Sequence, residues 1–64
     1  MTADQFKAWL AEMKSAGLAR SDAECARLLG RSDETMLKYK REGTDRTVAL
    51  ACRALLHRMK PYGS

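Results

Sequence analysis

Phe6, Trp9, Leu10 and Met13 recur at i, i+3, i+4 and i+7, the spacing of one apolar face of an α-helix. Thr2-Ala-Asp-Gln5 stands just before them with the T-x-x-Q spacing of a capping box, and Gly17 follows as a left-handed stop, so a first helix is predicted over about residues 3–16. Its stripe reads as a core face rather than a base-stacking platform. Ser21-Asp-Ala-Glu24 repeats the capping signal and predicts a second helix over about residues 22–29, with Cys25, Ala26 and Leu29 on one side and Gly30 at its end.

Ser32 offers a third N-cap, with Asp33 and Glu34 in the first turn where the helix dipole favours negative charge. A third helix over about residues 33–42 then turns Met36 and Tyr39 inward and Lys38 and Arg41 outward, and Gly43 closes it. Cap candidates between Thr44 and Thr47 open a fourth helix, about residues 46–59, before Pro61 and Gly63. Val48, Ala51, Cys52, Leu55 and Met59 form its apolar stripe. Leu50, Ala54 and His57 fall on the opposite side at 100° per residue. The expectation is an all-α, compact four-helix domain spanning residues 1–64.

A helix of two turns does not hold itself in water, so the second and third helices must pack on each other and on their neighbours. Ala26 permits a close crossing, Gly30 a left-handed turn, and Met36 and Tyr39 face back. That is the pattern of a helix-turn-helix, whose second helix is offered to a DNA major groove.

Composition narrows the function. A chain of 64 residues buries only about 60% of its unfolded surface, which leaves too little for both a core and a catalytic cleft, so no enzyme is expected. No cofactor is expected either. A metal site would have to combine His57 with Cys25 and Cys52, and these lack C-x-x-C or H-x-x-x-H spacing. Two cysteines without an N-terminal apolar leader fit a reducing, cytoplasmic setting, and no apolar run is long enough to span a membrane. The charge is uneven: residues 1–24 hold three basic and four acidic side chains, residues 25–64 nine basic and four acidic. A domain that binds a polyanion on one face has this distribution.

The stretch from Ser21 to Gly43, with Ala26, Leu29, Gly30, Ser32, Met36 and Tyr39 in place, followed by Val48-Ala-Leu-Ala-Cys-Arg-Ala-Leu-Leu56, resembles the Cro/C1-type (Xre-like, lambda-repressor-like) helix-turn-helix proteins. The resemblance covers about residues 3–63 and implies that the third helix is the recognition helix. Ser32, Asp33, Glu34, Thr35, Leu37, Lys38 and Arg41 are then the residues expected to meet base edges: Lys38 at guanine, Leu37 at a thymine methyl, the carboxylates at cytosine N4. Ser21, Arg27, Arg31, Lys40, Thr44, Arg46 and Thr47 are the phosphate candidates. The chain departs from the family pattern at Arg31, usually small and apolar, at Asp22, usually Gln, and by the extra Glu42 before the closing glycine.

Leu50, Ala54 and His57, with Tyr62, are expected to form a two-fold contact that sets two recognition helices about 34 Å apart on an inverted repeat. The function expected is a sequence-specific DNA-binding regulator, dimeric and repressing its own or an adjacent promoter by occluding polymerase, because 64 residues leave no room for a ligand or activation domain. The acidic pair Asp33 and Glu34 keeps open an alternative, a protein-interaction module on the same fold that binds another regulator.

Overall fold

The computed structural model describes residues 1–63, which form four helices and, among those residues, no strand: α1 (Ala3–Ser15), α2 (Asp22–Leu29), α3 (Asp33–Glu42) and α4 (Arg46–Leu56). Each begins on a side chain that accepts a hydrogen bond from the backbone N–H three residues on. Thr2 caps Gln5, Ser21 caps Glu24, Ser32 caps Thr35 and Asp45 caps Val48, and at α1 the Gln5 amide returns the bond to complete the predicted capping box.

Three helices end in the same way. Leu18 N–H donates to Met13 and Gly17 N–H to Lys14; Arg31 donates to Ala26 and Gly30 to Arg27; Met59 donates to Ala54 and Arg58 to Leu55. These paired bonds are the Schellman closure, which needs one left-handed residue. In the third case that residue is Arg58, at φ 58°. So α4 ends at Leu56, three residues short of the predicted Met59, and Pro61 plays no part in stopping it. Met59 leaves the apolar stripe and is 62% exposed. The first helix is likewise one residue shorter than the spacing predicts, because Ala16 is already its cap.

The core is the α1 stripe, Phe6, Trp9, Leu10 and Met13, joined by Ala19, Cys25, Ala26, Met36, Val48 and Cys52. Phe6 has no exposed surface and lies between Trp9, at 5.6 Å between ring centroids, and Tyr39, edge-on at 5.3 Å and 74°. The Trp9 indole N–H donates to the Cys52 carbonyl at 2.9 Å, which anchors α4 on α1. Every pair of helices meets except α3 and α4. These two therefore lie on different sides of α1 and α2, and each keeps an outer face.

The turn between α3 and α4 is fixed to the start of the chain. The Met1 amine donates to the Thr44 carbonyl at 3.0 Å, and Thr44 N–H donates to the Met1 carbonyl at 2.8 Å. Gly43 makes this approach possible. It adopts φ 86° and ψ −171°, a region essentially closed to other residues, and a Cβ there would stand 2.4 Å from the Met1 oxygen.

Gly43→Ala is accordingly expected to cost about 2–4 kcal/mol and to lower Tm by roughly 10 °C or more in thermal unfolding followed by circular dichroism. Gly30→Ala, where a Cβ meets nothing within 4 Å, should cost only the left-handed backbone, about 1 kcal/mol. Arg58→Gly should act the other way, raising Tm by about 4–8 °C through relief of a left-handed arginine.

Candidate nucleic-acid interface

Ser32 organises the start of α3. Its hydroxyl accepts from Thr35 N–H at 3.2 Å and lies 3.0 Å from the Thr35 hydroxyl, so both side chains are engaged within the first turn. Asp33 and Glu34 sit beside them, exposed and without an ion-pair partner among the described residues, where they complement the positive end of the helix dipole. Met36 is buried and the Tyr39 ring packs in a T-shaped pair with Phe6, as the spacing requires.

The opposite face of α3 has no part in the core. Glu34, Thr35, Leu37, Lys38 and Arg41 line one shallow depression, with Leu37 58% exposed. Five of the seven residues predicted to reach base edges thus share a single outward face; Ser32 and Asp33 stand at its N-terminal end. An exposed leucine between a lysine and a carboxylate offers both hydrogen-bonding and apolar contact.

The predicted phosphate residues divide. Arg27 and Arg31 are exposed and make no ion pair among the described residues, although the Arg31 guanidinium donates to the Gly30 carbonyl at 3.3 Å. The Ser21 hydroxyl is occupied in capping Glu24, and the Thr44 hydroxyl donates to the Asp45 carbonyl and accepts from the Met1 amine. Thr47 is exposed in the first turn of α4. Arg46 lines a groove between α1 and α4 and is absent from the α3 depression.

Lys40 is committed elsewhere. Its ammonium is hydrogen-bonded to one oxygen of Asp22, while Lys14 holds the other oxygen at 2.9 Å, so one carboxylate ties α1, α2 and α3 together. Lys40, and after it Lys14, keeps the Asp22 carboxyl below its ordinary value of 3.8. The Asp22 carboxylate therefore faces two ammonium groups instead of standing free to repel a polyanion. No local pattern announces this, since Lys40 lies 18 residues from Asp22 in sequence.

Of the residues assigned to a two-fold contact, Leu50 and His57 line the α1–α4 groove, whereas Ala54 and Tyr62 do not. Ala54 is half-buried outside the groove, and Tyr62 is fully exposed in the terminal turn. Cys25 and Cys52 are free thiols with no exposed surface, and burial pushes Cys52 up to about 11, so both act as small apolar groups. Among the described residues no cluster of three His, Cys, Asp or Glu side chains is placed to hold a metal, and no helix is long and apolar enough to cross a membrane.

A carboxyl held low in the fold binds its proton more readily in the unfolded chain. Its stabilisation is complete above 3.8 and disappears as pH falls through the lower, folded value. Asp22→Asn should therefore lower stability at pH 7 by under about 1 kcal/mol, the groups being partly exposed, and this deficit should shrink toward about pH 2 in urea melts. Comparison of the chain with family models, curated proteins and solved structures gives no match, so the chemistry of this face rests on its own residues and geometry.

Proposed function

We propose that the chain is a sequence-specific DNA-binding transcription regulator with a lambda-repressor-like helix-turn-helix, in which α2 lies across the phosphate backbone and α3 enters the major groove. The observation that carries this reading is the outward face of α3. Glu34, Leu37, Lys38 and Arg41 repeat at i, i+3, i+4 and i+7 on a helix whose other side is committed to the core, and all four are exposed. A ten-residue helix buried on one side and studded with donors, an acceptor and one leucine on the other matches what base edges present. Unpaired, exposed Arg27 and Arg31, in the last turn of α2 and in the turn before α3, suit contacts to phosphates.

Repression by occlusion is the mode of action that suits such a module, bound as a dimer to an inverted repeat. The exposed, unpaired carboxylates Asp33 and Glu34 favour a second reading, in which the same face meets a basic protein partner. Against DNA they act as selectors, accepting from cytosine N4 and repelling phosphates out of register.

A gel-shift titration against the DNA upstream of the gene decides between the two. Affinity for the operator should fall by roughly a hundredfold or more between about 50 and 200 mM salt. Lys38→Ala should reduce discrimination between operator and scrambled DNA by about tenfold, and Arg31→Ala should weaken both alike. A salt-independent affinity, or no shift at micromolar protein, would favour the protein partner.

A further inference from the structure

The groove between α1 and α4, about 710 Å³ in volume, is absorbed neither by the core nor by the α3 face. We infer that its occupant is a second copy of this chain, related by a two-fold axis that passes beside Leu50 and pairs Glu12 of each copy with Arg46 of the other. The inference deepens the dimer in the proposed function, giving it a surface, and does not depend on α3 entering a DNA groove.

Two hydrogen bonds fix how α1 and α4 lie together. Met1 pairs with Thr44 and Trp9 with Cys52, a separation of 43 residues in both cases. The two helices therefore run in the same general direction, with their N-termini at one end of the groove. Arg46, the first residue of α4, stands at that end, and Glu12, in the last turn of α1, lies toward the other. Nine residues of helix separate Ala3 from Glu12, a rise of about 13 Å.

Halfway between them are Ala8 on α1 and Leu50 on α4, and both line the groove. Leu50 is 60% exposed, the largest apolar projection within α4, while Ala8 and Ala49 leave space beside it. Arg46 stands at one end, Glu12 toward the other with Arg53 and His57 across from it at the end of α4, and Leu50 in the middle; turned through 180°, this surface sets Arg46 of each copy against Glu12 of the other. Such isologous matching is the condition for a closed two-fold pair. Within one chain neither Glu12 nor Arg46 has an ion-pair partner among the described residues. No residue of α3 lines the groove, so pairing leaves both outward α3 faces uncovered.

The test is the oligomeric state of the whole chain, free of DNA, by sedimentation velocity from about 1 to 200 µM. A monomer–dimer equilibrium is expected. Leu50→Glu should abolish it, and Glu12→Arg should weaken it by at least tenfold. The double variant Glu12→Arg, Arg46→Glu should restore it, since the swapped charges meet again across the axis. Neither swap threatens the fold: a cation near the end of α1 and a carboxylate at the start of α4 both suit their helix dipoles. A monomeric wild type throughout that range would overturn the pairing and leave the groove to an unlike partner. Dimerisation unaffected by Leu50→Glu, or Glu12→Arg unrescued by Arg46→Glu, would overturn this surface. Binding of the Leu50→Glu monomer to a single half-site reads the α3 face separately, so either proposal can fail alone.

Discussion

Four helices of 8 to 13 residues are too short to persist singly, and the apolar stripe of α1 is what they share. Phe6 forms a T-shaped pair with Tyr39 of α3, and the Trp9 indole N–H donates to a carbonyl of α4. With α2 wedged into the same core through Cys25 and Ala26, the outer pair α3 and α4 never meet. That separation gives so small a molecule two independent outer faces, one basic and acidic by turns on α3 and one grooved beside α4. A bundle in which all four helices touched would have used those faces for burial.

Most of this architecture was legible from local pattern. Thr2, Ser21 and Ser32 announce three helix starts because a cap is a contact over three residues, and the 3.6-residue period sorts Met36 and Tyr39 from Lys38 and Arg41 with no knowledge of the neighbours. The five-residue outward face of α3 was readable for the same reason. What local pattern missed were events set by distant chain. Arg58 takes a left-handed turn that sequence assigns to glycine, so α4 ends earlier than its apolar period implies. Ala54 shares a helical side with Leu50 on a wheel, yet the packing of α1 defines a groove that includes Ala49 and Arg53 and excludes Ala54. Lys40 looked like a free cation because its partner sits on another helix.

The electrostatics also change in character once folded. Lys14 and Lys40 converge on Asp22, so three of the formal charges are drawn into one local cluster beside the α2–α3 pair. The cations left without carboxylates among the described residues include Arg27 and Lys38 on those two helices and Arg31 in the turn between them. A partner with regularly spaced negative charge would meet a few fixed points in place of a diffuse field, which trades long-range attraction for dependence on register.

The lock between Met1 and Thr44 has a mechanical consequence. Only Gly43, Thr44 and Asp45 separate α3 from α4, and the middle residue is bonded in both directions to the chain's first residue. The joint between the two outer helices is therefore braced at its midpoint and does not act as a hinge. Under the proposed pairing, the distance between two α3 helices is set by the body of the molecule, as in a caliper with its screw tightened. With α3 reading bases as proposed, such a pair would measure the gap between half-sites as strictly as the bases within them.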